Sequence, residues 1–439
     1  MKLIPITQTV TPLTLEETNV LEGEGPGASY NAGTTYGAGD VIFVGDFGTL
    51  YYVYRSLQAG NLAHDPATSP AWWEVLGTSY LAYNALYWDQ FVFLEGHRVV
   101  DTTSHRTYES LRGTTATVTL PLASPGFVNW PGHGLKNGDP VLFRTTNTLP
   151  TGLLEDTIYY VKSAVAGGFN VEGSIGGVVI NFTGATVGTH TGYGNPNFDK
   201  SLTDPDYWFD IGPTNRYAMF DASTGSQTTN PEAIIVVLNY DSRIDRLSLL
   251  NVSAATVSVQ IGAEDSDGFF FDETFSMSDP ADITDWYAWF FEPIVRKKDL
   301  LIRDILPYGN VTAYVTISEP GGWAAIGALL AGLSYDLGGT MWGFEVGTDD
   351  YSRAETDPWG NTKLIKRGSS KRASLQLSVP NERVDAIETI LDQYTATPAV
   401  WEGTERFAAT WIYGWVASHR TVVSNARFSV LSIDIKGFA

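Results

Sequence analysis

The chain has 439 residues, 43% of them hydrophobic and only 17% charged, with a formal net charge of -22 and no cysteine. That length exceeds a single hydrophobic core and implies about three or four domains, while the lack of cysteine excludes disulfides, thiolate zinc sites and a cysteine nucleophile. The negative charge repels phosphate backbones and anionic membrane surfaces, which excludes a specific nucleic-acid partner.

With 44 glycines, 21 prolines and 13% aromatic residues, the composition points to short strands joined by turns, and so to a mainly β, multidomain fold. Residues 1–27 read as an N-terminal arm. Met1-Lys2-Leu3-Ile4-Pro5 lacks the apolar stretch of a secretory signal. The longest apolar run, Trp323 to Leu333, is far short of the ~20 residues that cross a bilayer. The expectation is a soluble protein, made without a signal peptide and not inserted in a membrane.

Two segments then answer each other. The first, residues 28–79, runs through Gly33-Thr34-Thr35-Tyr36, Gly39-Asp40-Val41, Tyr54-Arg55-Ser56-Leu57, Gly60-Asn61, Asp65-Pro66 and Trp72-Trp73. The second begins in residues 80–112 with Tyr83-Asn84-Ala85, Gly96-His97-Arg98-Val99 and Tyr108-Glu109-Ser110-Leu111, and stops. It resumes in residues 194–213 with Gly194-Asn195-Pro196, Asp204-Pro205 and Tyr207-Trp208. Residues 113–193 therefore read as a small β-barrel or sandwich inserted into a surface loop of the second copy, where insertions are best tolerated.

Residues 214–325 contain strand-like runs such as Ala233 to Leu238, Thr256 to Ile261 and Val311 to Ile317, which predict a jelly-roll sandwich. Residues 326–439 hold the one convincing helix, with Asn381 as N-cap and Val384, Ile387, Leu391 and Tyr394 at helical spacing. Strands over Ala373 to Val379 and Phe428 to Ile435 flank it.

Small β-modules rich in Tyr and Trp suit sugars, whose C–H faces stack on planar rings while their rims take a few hydrogen bonds. The candidate carbohydrate-binding residues are Tyr36, Tyr54, Trp72 and Trp73 in the first copy and Tyr108, Tyr207 and Trp208 in the second. Asn61, Asp65, Asn195 and Asp204 are their polar neighbours. Strand alternation alone would send one ring of each pair inward. Duplication favours the binding reading, because two modules add avidity.

Gly33, Tyr36, Gly39-Asp40-Val41, Tyr54, Pro66 and Trp72-Trp73 resemble the small chitin-binding-type carbohydrate-binding module of chitinases and phage proteins. Further on lie Gly212-Pro213-Thr214-Asn215-Arg216-Tyr217, Asp350-Tyr351-Ser352-Arg353, Trp359-Gly360-Asn361-Thr362 and Lys371-Arg372. Together they resemble a family of phage tail proteins with carbohydrate-binding modules ahead of a galactose-binding-like jelly roll and a C-terminal domain. The last stretch, with Thr397-Pro398-Ala399-Val400-Trp401 and Tyr413-Gly414, is similar to the tail-tube or distal-tail fold, a β-sandwich with one helix. The resemblance implies a bacteriophage virion component at the tail tip or baseplate, a distal tail protein forming a homo-oligomeric ring, sixfold if typical. Its partners would be copies of itself, tail-tube and tail-hub proteins, and host-surface glycans met during attachment.

No catalytic motif, metal site or cofactor is predicted. The six histidines include no His-Glu-x-x-His pair, and neither a Gly-x-Ser-x-Gly elbow nor a phosphate-binding loop occurs. Asp265-Ser266-Asp267-Gly268 lacks the ligand spacing of a calcium loop and reads as a solvated acidic turn. The rival readings are a receptor-binding fibre or spike, against which the absence of heptads and short repeats counts, and a polysaccharide-degrading tail enzyme, which needs only two suitably spaced carboxylates.

Overall fold

The computed structural model describes residues 1–6, 9–23, 28–46, 48–83, 93–195, 197, 200–263, 268–278, 286, 290, 296–357 and 359–438. The chain is mainly β and divides into two compact units, Leu21–Thr214 and the combination of Met1–Val20 with Asn215–Ala439.

The repeat seen in the sequence is a repeat of topology. In the first copy Ala28–Ser29 runs parallel to Val41–Val44, which continues antiparallel into Tyr51–Ser56 and Trp73–Ser79. In the second, Leu81–Ala82 runs parallel to Arg98–Asp101, followed antiparallel by Arg106–Ser110 and Trp208–Pro213. Each copy carries a bulge at the matching place, between Val53 and Tyr54 and between Thr107 and Tyr108. A bulge re-aims the side chain beside it, so its position is part of the design of the module.

Both copies close their long loop with the same buried polar link. Asn61 Nδ2 donates to Ser56 Oγ at 3.1 Å and to the Trp72 carbonyl at 3.3 Å. Asn197 Nδ2 donates to Ser110 Oγ at 2.5 Å. The structural counterpart of Asn61 is thus Asn197, not the Asn195 of the sequence alignment. The paired prolines shift too: the N–H groups of Trp72 and Trp73 donate to the Ser69 carbonyl, and those of Tyr207 and Trp208 to the Asp204 carbonyl. Ser69-Pro70, rather than Asp65-Pro66, therefore matches Asp204-Pro205.

The insert enters and leaves through neighbouring strands, Thr114–Val118 and His190–Gly194, with Thr114 opposite Gly194. Its six-stranded sheet encloses a core of its own that includes Val128, Trp130, Phe143, Tyr159, Phe169 and Phe182. A loop whose ends already lie side by side can be lengthened at little cost to the host module.

In the other unit, Leu15–Thr18, Thr228–Tyr240, Val311–Ile326, Thr256–Ala263 and Phe269–Ser276 form a five-stranded antiparallel sheet. A second sheet of Leu300–Ile302, Arg246–Leu250 and Ala328–Gly332 packs on it through Leu247, Leu249, Ile302, Leu329 and Ala331. The opposite face of this small sheet is also covered, since Leu250, Leu301, Ala328 and Leu330 pack with Ile4, Val400 and Tyr413. A strand buried on both faces reads as a continuous apolar run, as Ala328–Gly332 does. The sandwich accordingly extends past residue 325, the expected boundary.

The C-terminal sheet has eight strands. Along its main path lie Tyr335–Asp336, Lys2–Pro5, Ala399–Glu402, Trp411–Val423, Phe428–Gly437, Ser369–Pro380 and Gly339–Thr340, with Glu345–Asp350 also paired to Ser369–Pro380. The expected N-terminal arm is therefore no free arm: Lys2–Pro5 lies inside this sheet and Leu15–Thr18 edges the sandwich. The helix, Val384–Gln393, buries Ile387 and Leu391 against Leu375, Leu377, Trp401, Leu431 and Ile433. Asn381 is not its N-cap. It sits in a preceding 3-10 turn, where its amide donates to the Asn425 carbonyl and accepts from Ser429 Oγ.

Candidate functional site

Alternation along two strands decides most of the aromatic candidates. Tyr36, Tyr54 and Trp73 are at most 5% exposed and form one core cluster with Ile42. Tyr36 and Trp73 meet edge to face, with ring centroids 5.2 Å apart. Their polar groups are spent internally: Trp73 Nε1 donates to the His64 carbonyl at 2.9 Å, and Tyr36 Oη accepts from the Asn31 N–H at 2.7 Å. A ring enclosed in this way stabilises the module and has no face to offer a sugar.

The second copy repeats the pattern. Tyr108 and Trp208 are 8% and 3% exposed and join a core with Phe43, Tyr51, Val53, Phe93 and Val99. Trp208 meets Tyr83 at 5.4 Å and Phe93 at 5.5 Å, both edge to face. Five of the seven expected sugar-stacking residues, Tyr36, Tyr54, Trp73, Tyr108 and Trp208, are thus core residues as the chain stands.

Trp72 and Tyr207 keep part of their rings in solvent. Trp72 stacks on the His64 ring at 4.0 Å and 13°. Its counterpart Tyr207 has the Arg112 guanidinium 5.2 Å and the Lys200 ammonium 5.4 Å from its ring centroid. The His64 ring on Trp72 and the cations beside Tyr207 each occupy a face of these part-exposed rings. Asp65, next to His64 in the chain, is exposed and accepts from the Ala67 N–H at 2.8 Å. Burial first, and then the Tyr52 phenol and the Asp65 carboxylate, push the Tyr54 phenol up. Desolvation, then Asp65 and Tyr36, do the same to Tyr30, whose ring packs half-buried at the edge of this cluster.

The other polar candidates have structural tasks. Asn61 is fully buried in the loop link described above. Asn195 belongs to the neck of the insert, where its N–H donates to the Pro140 carbonyl at 2.8 Å. Asp204 accepts from the Asp206 N–H at 3.0 Å.

The aromatic residues that sequence reasoning missed are the outward members of the same strands, Tyr52 at 43% and Phe209 at 58% exposure. Period-two alternation would have found them once Tyr51 and Trp208 were taken as inward. In the sheet of the first module, Arg55 sits opposite Glu74 with a 2.6 Å ion pair. In the second, Arg98, Glu109 and Phe209 form a transverse row with a 2.9 Å Arg98–Glu109 pair. Trp286 and Phe290, 79% and 70% exposed with rings 6.5 Å apart, were also overlooked.

Among the described residues no group of three or more His, Cys, Asp or Glu is placed to hold a metal ion. Asp265, Ser266 and Asp267 lie outside the described residues. His97 precedes the strand Arg98–Asp101, and His105, in the hairpin that follows, meets the Glu22 carboxylate at 3.0 Å.

The C-terminal domain has an exposed feature of a different kind. Glu345–Asp350 pairs with the first half of Ser369–Pro380, and the ribbon continues as Arg353–Thr356 against Thr362–Ile365. Nearly every residue of this two-stranded stretch is exposed, including Tyr351 at 50%, Leu364 at 71% and Trp359 at 85%. Comparison with protein-family models and with curated proteins returns no match to this chain.

Proposed function

We propose that the chain is a non-enzymatic structural subunit of a bacteriophage tail tip, a distal-tail or baseplate component that closes into a ring through its C-terminal domain. Its Leu21–Thr214 modules meet host-surface glycans through the Trp72–His64–Asp65 face. The observation that carries the ring reading is the exposed two-stranded ribbon of Arg353–Thr356 and Thr362–Ile365. A two-stranded ribbon with both faces in water is marginally stable by itself, and unpaired strand edges invite a neighbouring chain. Copies arranged in a closed ring supply that cover without leaving free ends.

Sedimentation velocity on the full chain tests the assembly, with a discrete ring-sized oligomer as the expected result. A chain that stays monomeric at the highest attainable concentration, and is missing from purified tails, overturns it. A glycan array tests the sugar contact: Trp72→Ala should lose binding that the parent chain shows, and equal binding by both removes Trp72 from the site.

A further inference from the structure

The face of the C-terminal sheet that points away from the helix carries two rows of unlike chemistry. Arg372, Ser374, Asp434 and Lys436 project there, because their strand neighbours Ala373, Leu375, Ile433 and Ile435 are buried in the core on the helix side. Strand pairing sets Gly347, Arg372 and Lys436 side by side in one transverse row, and Glu345, Ser374, Asp434 and Ser418 in the next. Residues two apart on a strand are about 7 Å from each other, and neighbouring strands about 5 Å. A cationic row thus runs parallel to one of carboxylates and hydroxyls.

The charges in these rows do not neutralise one another. Arg372 and Lys436 stand directly opposite each other, a relation in which like charges repel. Lys436 makes no ion pair among the described residues. Arg372 Nε lies 3.5 Å from Asp349 Oδ1, beyond the ~2.7–2.9 Å of a good charged hydrogen bond. The guanidinium runs across Gly347, where a Cβ would lie 3.0 Å from Nε. In the other row Ser418 Oγ donates to Asp434 Oδ2 at 2.7 Å. The Ser374 and Ser418 hydroxyls hold the Asp434 carboxyl below its usual range, against the opposing effect of burial. Asp434 is therefore a fixed acceptor, held by hydroxyls instead of by the adjacent cations.

Both rows line one cleft of about 530 Å³. That volume falls within the ~300 to ~1,000 Å³ of small-molecule sites. Two adjacent cations suit a single anionic group, and carboxylates accept from hydroxyls. The matching ligand is anionic at one end and hydroxyl-bearing at the other, and the spacing of about 7 Å between the rows fits one sugar ring with its substituent. A polyanion such as nucleic acid would meet the acidic row and a chain of net charge -22.

We propose that this cleft binds one saccharide unit bearing a phosphate or a carboxylate, the anionic group on Arg372 and Lys436 and the ring hydroxyls donating to Asp434 and Glu345. The site belongs to the C-terminal sheet and depends neither on the ring reading nor on the Trp72 face.

Isothermal titration calorimetry on the full chain at low salt tests the site, with glucose 1-phosphate, glucuronate, glucose and inorganic phosphate as probes. At least one of the two anionic sugars should bind with a Kd below ~10 mM, and glucose and phosphate at least about tenfold more weakly. Arg372→Gln and Lys436→Gln should each weaken the anionic sugar at least about tenfold, while Lys436→Arg keeps most of the affinity. Lys371→Gln removes the same charge from the opposite face of the same strand, where Lys371 pairs with Asp299, and should change nothing. Asp434→Asn should weaken the sugar and not inorganic phosphate. Phosphate binding as tightly as the sugars overturns the proposal. So do equal losses in Lys371→Gln and Lys436→Gln, or no binding of either anionic sugar.

Discussion

At the scale of single residues, the two adjacent-aromatic pairs separate structure from contact. Trp73 and Trp208 are enclosed, and their neighbours Trp72 and Tyr207 lie at the surface. Truncating a buried tryptophan removes its transfer free energy and leaves a void, a loss of ~3–5 kcal/mol. Removing a half-exposed ring that stacks on a histidine costs about 1 kcal/mol. Thermal unfolding should therefore show Trp73→Ala and Trp208→Ala strongly destabilised and Trp72→Ala close to the parent. A large loss in Trp72→Ala would make that residue part of the core as well. The candidate residues were visible as types and positions, but their burial was not, because both faces of the first module's sheet pack on a core, Tyr51 and Val53 on one and Tyr54 on the other.

At the scale of elements, the insert is the clearest case. Thr114 and Gly194 stand opposite each other in the ladder, and everything between them packs on its own core. Residues 113–194 expressed alone should unfold cooperatively and give dispersed amide resonances. A molten or unfolded product would mean that the host module supplies missing contacts. The insert was legible because the landmarks of the second copy stop and resume in order. The pairing of Asn61 with Asn197 was not, since it depends on which amide reaches the buried hydroxyl of Ser56 or Ser110. The helix was legible from the spacing of Val384, Ile387 and Leu391, but the expected cap at Asn381 instead ties the helix entry to the turn at Asn425.

At the scale of the whole molecule, the N-terminal residues complete elements formed hundreds of positions later. Leu3 is fully buried in the C-terminal core, and Lys2–Pro5 lies between Ala399–Glu402 and Tyr335–Asp336. Leu3→Ala should cost about 2–5 kcal/mol. Calorimetry would place that loss in the transition of the unit containing residues 215–439, with the Leu21–Thr214 unit unaffected. A shift in the latter instead would contradict the division of the chain into two units.

The sequence by itself determined the β class, the duplicated module, the interruption that makes the insert, and the helix near the C-terminus. These are written in local periodicity, turn residues and repeated landmarks, all of which act over a few neighbours. Tertiary structure alone decided which ring of each aromatic pair faces a core, where the first residues of the chain pair, and that a two-stranded ribbon stands uncovered with Trp359 at its tip. Those outcomes depend on contacts between residues far apart in the chain, and strand period tells that two faces exist without telling which one will be buried.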